Sequence, residues 1–180
     1  MKIYKTFIED LIIIEPQIFN DNRGIFYESF NKKVFNKFFK INFVQDNESK
    51  SVKGVVRGLH FQKPPFEQTK LVRCVSGNIL DVTVDLRKNS KTFGKFFKIE
   101  LSGNNNKQLL IPKGFAHGFQ VLSDEAIVNY KVDQYYNKEY DSGIIWNDIN
   151  LQINWNRENK PILSNKDLAL EPFKSLKSFF

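Results

Sequence analysis

A chain of 180 residues can bury one hydrophobic core but not comfortably two, so one domain is expected over 1–180. The single cysteine, Cys74, excludes an internal disulfide, and the early apolar run Leu11-Ile12-Ile13-Ile14 is far too short for an export signal or a membrane span, which together predict a cytoplasmic protein. The net charge of +7 raises nucleic acid as a partner, but the lysines are scattered rather than gathered on one stripe, so the field better suits an anionic small substrate.

The densest basic stretch, "NKKVFNKFFK" from Asn31 to Lys40, predicts an amphipathic helix capped by Asn31. Val34, Phe35, Phe38 and Phe39 fall on one side, and Lys32, Lys33, Asn36, Lys37 and Lys40 fall largely on the other. A wet basic face explains this pattern without a membrane or nucleic-acid role. Past residue 41 the chain changes character. "INFVQDNES", "KGVVRGLHFQ", "TKLVRCVSG", "NILDVTVDLR", "GKFFKIELSG", "KQLLIPKG", "HGFQVLS" and "EAIVNYKV" are short β-branched and aromatic runs whose spacing predicts an all-β sandwich or barrel.

The clearest alternation sets Leu80, Val82, Val84 and Leu86 on one face against Ile79, Asp81, Thr83 and Asp85 on the other. Carboxylates in mid-strand must face water or a polar cavity, because burying one unpaired costs too much. A sheet closed around a lumen would supply that cavity and a place for a ligand. Turns are expected at Ser76-Gly77-Asn78, Ser102-Gly103-Asn104 and Pro112-Lys113-Gly114. The final stretch, "LSNKDLALEPFKSLKSFF", turns helix-like after Ser164, with its last residues loosely held. There is no internal repeat and no low-complexity linker.

Two histidines, His60 and His117, with no HxH spacing, make a poor metal-ligand inventory, so no metal is expected. No serine sits in a nucleophile elbow, and Cys74, between Arg73 and Val75 in a strand pattern, reads as a small packed residue. Acid–base chemistry remains. His60 exchanges protons in a useful pH range, with Asp167, Asp81 or Asp85 available to orient a histidine. Lys70 is a candidate cation for a developing oxyanion and Tyr130 a candidate acid, although in isolation a strand lysine usually snorkels and a strand tyrosine usually packs.

Four motifs in order, "RGLHFQKPPFEQTKLVRCVSGNILDVTVDLRKNSKTFGKF", "IPKGFAHGFQVLSD", "YKVDQYYNKEYDSGIIWND" and "LSNKD", resemble the dTDP-4-dehydrorhamnose 3,5-epimerase family from about "DNRGIFYESF" onward. The resemblance implies a cupin-type jelly-roll barrel with a few short peripheral helices, no cofactor, a dTDP-linked 4-keto-6-deoxy sugar as substrate, and a homodimer with an N-terminal segment shared across the interface. It also implies roles. His60 is the base, Asp167 its hydrogen-bonded partner, Tyr130 the acid on the opposite ring face, and Lys70 the stabiliser of the enolate oxygen. Arg23, Glu28, Gln45, Asp46, Asn47, Arg57, His117 and Lys166 match positions that hold the nucleotide-sugar, and Tyr136 matches an aromatic that stacks on thymine.

Asp141 departs from the family's expected glutamate and is one methylene shorter. A related 3-epimerase or 3,4-ketoisomerase is the nearest rival, against which Tyr130 favours the double epimerase. A non-catalytic cupin that binds sugar nucleotides would not need His60, Lys70 and Tyr130 together. Strict alternation sets Arg57 and His60 on opposite strand faces, so either Gly58 marks a bulge or Arg57 sits at the strand mouth.

Overall fold

The computed structural model describes residues 1–156, 160–176 and 180. In chain order the strands are β1 (Lys2–Lys5), β2 (Ile12–Glu15), β3 (Phe19–Asp21), β4 (Gly24–Phe26), β5 (Gln45–Val52), β6 (Val56–Gln62) and β7 (Lys70–Ser76), then β8 (Asn78–Asp85), β9 (Phe96–Ser102), β10 (Gln108–Ile111), β11 (Phe115–Val121), β12 (Glu125–Val132) and β13 (Asp141–Gly143). Two one-turn helices, α1 (Lys32–Phe35) and α2 (Asn165–Leu168), lie outside the sheets. Each of the eight runs read from patterning overlaps one of the strands β5 to β12. The three expected turns fall between β7 and β8, at the end of β9, and between β10 and β11.

The strands form a six-stranded sheet in the order β1-β2-β10-β7-β12-β5, a five-stranded sheet in the order β13-β6-β11-β8-β9, and a separate β3-β4 ribbon. Neighbours in space are rarely neighbours in sequence, and the pairing is antiparallel throughout, as in a jelly roll of the cupin type. Side-chain alternation then sorts the core into three layers. Val72, Cys74, Leu109, Val128, Ile79, Leu101 and Phe119 meet between the sheets. Leu71, Leu110, Ile12 and Ile14, on the outside of the first sheet, are covered by Phe35 and its neighbours.

Val82, Val84 and Leu86, on the outside of the second sheet, are covered by Ile144, Leu151, Ile153 and Trp155. The apolar face of β8 therefore points out toward this covering segment. Asp81 and Thr83 point inward and are fully buried.

Two expectations change. The helix after Asn31 is a single turn, because a helix this short is not stable by itself and the aromatic side chains pack as a knot rather than a stripe. Phe35 stacks on Phe30, Phe39 and Phe43 with ring centroids 4.9–5.5 Å apart, while Phe38 stays 57% exposed. At the other end, residues 177–179 lie outside the described residues, but Phe180 is anchored: its ring meets Phe61 at 5.8 Å, and its carbonyl accepts the Lys88 N–H at 2.9 Å. Among the described residues no helix is long and apolar enough to cross a membrane.

Candidate active site

The site begins with a fault in a strand. Across the β6–β11 pair His60 faces His117, but Arg57 faces Phe119, so three steps on β6 are matched by two on β11. The extra residue is a bulge centred on Gly58, and it turns Arg57 onto the same face as His60. Gly58 has φ +116°, and a Cβ there would meet the Gly118 Cα at 2.6 Å and the His117 carbonyl oxygen at 2.7 Å, so only glycine fits. Arg57 is then held by Ser51 of β5, whose hydroxyl accepts from Nε at 3.1 Å and from a terminal guanidinium nitrogen at 3.0 Å.

His60 Nε2 and Asp167 Oδ1 are 2.5 Å apart. Asp167 arrives from 107 residues away on α2, whose cap, Ser164, accepts the Asp167 N–H at 3.1 Å. Burial alone would push the Asp167 carboxyl up. The hydrogen bond and charge of His60, with Ser164 and Lys166, outweigh that and hold it below the usual carboxylate range. A second imidazole–carboxylate pair lies one strand further in, with His117 Nε2 2.8 Å from Asp81 Oδ2. Burial dominates at His117 and lowers its pKa against the pull of the Asp81 carboxylate, and so favours the neutral ring.

Both histidines open onto a cavity of about 530 Å³ between the sheets, lined also by Asn47, Ser49, Arg57, Lys70, Phe119, Tyr130, Lys166 and Asp167. Lys70 comes from the opposite sheet and is 9% exposed. Burial lowers it to about 8, the charges of Asp81 and Asp141 oppose that fall, and Lys166 adds to it. Its Nζ lies 6.0 Å from the centroid of the Tyr130 ring. Burial raises the Tyr130 phenol, with Arg57 acting the other way. A tyrosine that holds its proton and a lysine that is ready to carry charge therefore face an imidazole across a polar space.

At the rim, the carboxylate of Asp141 ties two other residues together. The Tyr136 hydroxyl donates to Asp141 Oδ2 at 2.8 Å, and Lys166 Nζ bonds the same oxygen. Gln45 joins this group by accepting the Tyr136 N–H at 3.3 Å and donating to Asn47 at 2.8 Å. Asp46 alternates to the other face of β5, where Lys131 Nζ holds its carboxylate at 2.7 Å and 2.8 Å, so it offers the cavity wall little beyond backbone.

Arg23 and Glu28 are not brought to this cavity. Arg23 is paired with Asp21 at the tip of the β3–β4 ribbon, and Glu28 accepts from Asn31 beside a separate hollow near Ile14 and Phe35. Asp85 orients no histidine. It accepts from Arg87, Ser90 and Thr92 and so closes the turn after β8. Sequence reading missed Ser51 and Ser164. The Ser164-x-x-Asp167 spacing is a capping signal that was there to be found, whereas nothing local marks Ser51. Among the described residues no three His, Cys, Asp or Glu side chains gather as a metal would need.

An imidazole backed by a carboxylate, aimed across a barrel at a phenol, moves protons, and cations at the mouth suit an anionic substrate. Fold and site together define a cupin-type isomerase. The profile of the dTDP-4-dehydrorhamnose 3,5-epimerase family matches residues 5–175. The dTDP-4-dehydrorhamnose 3,5-epimerase of Shigella flexneri is 53% identical over 175 residues, 96% of each chain. The crystal structure of the enzyme of that name from Elizabethkingia anophelis superposes with a TM-score of 0.91 at 51% identity, covering 97% of both chains. The dTDP-6-deoxy-D-glucose-3,5-epimerase of Legionella pneumophila, solved in complex with dTDP-4-keto-L-rhamnose, superposes with a TM-score of 0.94 at 45% identity over 98% of this chain and 94% of that one. The chain belongs to the dTDP-4-dehydrorhamnose 3,5-epimerase family, and its activity is that of an isomerase.

Proposed function

We propose that this protein inverts C3″ and C5″ of dTDP-4-dehydro-6-deoxy-D-glucose to give dTDP-4-dehydro-L-rhamnose. The observation that carries the mechanism is the placing of the His60–Asp167 pair, Lys70 and Tyr130 around one cavity. The C4″ ketone acidifies the hydrogens on both neighbouring carbons. With Nε2–H donated to Asp167, His60 Nδ1 carries the lone pair that removes each proton in turn, and Lys70 faces the oxygen on which the enolate charge gathers. Tyr130 returns a proton from the other ring face. Stabilising such an oxyanion with one well-placed donor is worth about 3 kcal/mol. The step requires no metal or redox cofactor, because the C4″ ketone already acidifies both centres and each proton removed is returned.

Arg57, His117, Asn47, Gln45 and Lys166 hold the nucleotide-sugar, Asp46 borders them, and Tyr136 offers its ring to the thymine beside Asp141. Arg23 and Glu28 belong to the same binding function through a homodimer, in which the β3–β4 ribbon of one subunit reaches the cavity of the other. Phe19, Ile25 and Phe26 on that ribbon are 54%, 53% and 69% exposed, which is an apolar surface that a second subunit would cover. The reaction belongs to the cytoplasm and to the supply of a deoxysugar for polysaccharide synthesis.

The deciding experiment places the 4-keto substrate with the protein in deuterated water. Wild type should exchange deuterium into both C3″ and C5″, and His60→Ala, folded by circular dichroism, should exchange at neither. Exchange by His60→Ala at the wild-type rate would show the base to be another group.

A further inference from the structure

Strand β6 ends at Gln62, two residues past His60 and so on the same side of the strand. The Gln62 side chain is 4% exposed and does not line the cavity, yet both N–H groups and the oxygen of its amide are engaged. Nε2 donates to the carbonyl oxygens of Phe66 at 2.7 Å and Tyr135 at 3.1 Å, and Oε1 accepts the Asn137 N–H at 2.6 Å. Turned over, the amide would set its oxygen against two carbonyls and its nitrogen against an N–H, so the network itself fixes which way it lies.

Between the Tyr135 carbonyl and the Asn137 N–H lies Tyr136. The peptide unit before its Cα is held at both polar atoms, the Tyr135 carbonyl by Gln62 and the Tyr136 N–H by Gln45 at 3.3 Å. The unit after it is held at the Asn137 N–H, again by Gln62. Peptide units are planar, so fixing the two that flank a residue fixes its φ and ψ and with them the direction of its Cα–Cβ bond. Tyr136 needs such support, because it lies between β12 and β13, outside any strand or helix, and is 55% exposed. Its hydroxyl is tied to Asp141, which pairs with Gln62 across the β6–β13 ladder. Backbone and ring of this tyrosine therefore trace to one pair of facing residues.

We infer that Gln62 is a positioning residue for nucleotide recognition: its buried amide fixes the two peptide units flanking Tyr136 and so ties the ring that meets thymine to the strand that carries His60. This rests on the reading of Tyr136 as the thymine platform. The tie and His60 are two residues apart, about 6.5 Å of extended strand. One element thus sets the spacing between the nucleobase end of the substrate and its reacting end.

Gln62→Met keeps the side-chain length and deletes all three bonds. Stacking on thymine serves the bound substrate and the transition state alike, so KM should rise about tenfold while kcat stays within about twofold. The Kd of dTDP, read by calorimetry, should rise by about tenfold as well. A merely structural defect lowers the active fraction, and so kcat, without weakening the molecules that remain folded. A fall in kcat with dTDP affinity unchanged overturns the proposal.

A double-mutant cycle separates the two levels of the argument. Tyr136→Leu alone should weaken dTDP by about tenfold. If it does not, the reading of Tyr136 fails and the proposal falls with it. If it does, adding Gln62→Met to Tyr136→Leu should weaken dTDP by less than about twofold more, because no ring remains to be positioned. Losses that multiply in full, or a Gln62→Met protein that binds dTDP as wild type does, overturn the role of Gln62 alone. Should Gln62→Met not fold, wild type decides by NMR. In the ligand-free protein the Asn137 amide should exchange with deuterated water at least about tenfold more slowly than in an unstructured chain, and faster exchange than that overturns the proposal.

Discussion

Tyr130 faces the cavity with its phenol raised by burial, and among the described residues its hydroxyl has no hydrogen-bond partner. Removing that oxygen leaves no orphaned group behind, so Tyr130→Phe should melt within about 0.5 kcal/mol of wild type. Its chemistry should change more. The variant keeps His60 and Lys70, so it should still wash deuterium into the sugar while forming less of the doubly inverted product. Loss of exchange equal to that of His60→Ala would place Tyr130 in the abstraction step instead. At this scale the sequence marked residues that the fold brings to one cavity, because His60, Lys70 and Tyr130 are polar interruptions of apolar strands. It revealed their supports poorly. That Asp81 serves His117 while Asp167 serves His60 depends on pairing between distant strands, and Asp46 is turned away by an alternation whose phase only the β5–β12 register fixes.

Among the elements, β6 has the least freedom. Its bulge puts Arg57 and His60 on one face, and Gly58 alone permits the backbone to do so. Gly58→Ala would combine a left-handed φ with a Cβ pressed against the backbone of β11, a cost of about 2 kcal/mol or more. We expect a lower melting temperature together with a loss of kcat/KM beyond tenfold, since the strain relaxes by moving either His60 or Arg57. A variant that keeps wild-type activity and stability would show the bulge to be incidental. The strands β5 to β12 were legible because β-branched runs and turn residues punctuate them. The short strands β1, β3, β4 and β13 carry three or four residues each and leave no periodic signal, and α1 is shorter than expected because Val34, Phe35, Phe38 and Phe39 only mimic a helical stripe.

The whole molecule leaves one element without a place in its own barrel. The β3–β4 ribbon pairs with neither large sheet and carries exposed Phe19, Ile25 and Phe26. It also bears Arg23, which the family resemblance assigns to a site that this chain's own fold does not bring near. Both facts are met if the ribbon docks on a second subunit. Sedimentation at micromolar concentration should therefore give a boundary near twice the chain mass of 21.1 kDa. Phe26→Asp should shift it toward the single-chain mass and weaken substrate binding together. A lone 21.1 kDa species in wild type would refute the shared site.

The reach of the His60–Asp167 pair has a consequence in time. In chain order every sheet strand precedes α2, so His60 belongs to the part of the chain made first and Asp167, which Ser164 caps, to the part made last. A chain that ends before residue 164 contains the residues of every sheet strand and the cavity-lining Arg57 and Lys70, yet it lacks Asp167, the partner of His60. If His60 is the base, a chain cut before residue 164 should retain ligand affinity better than turnover, a difference that calorimetry and an exchange assay on the same truncated protein would separate.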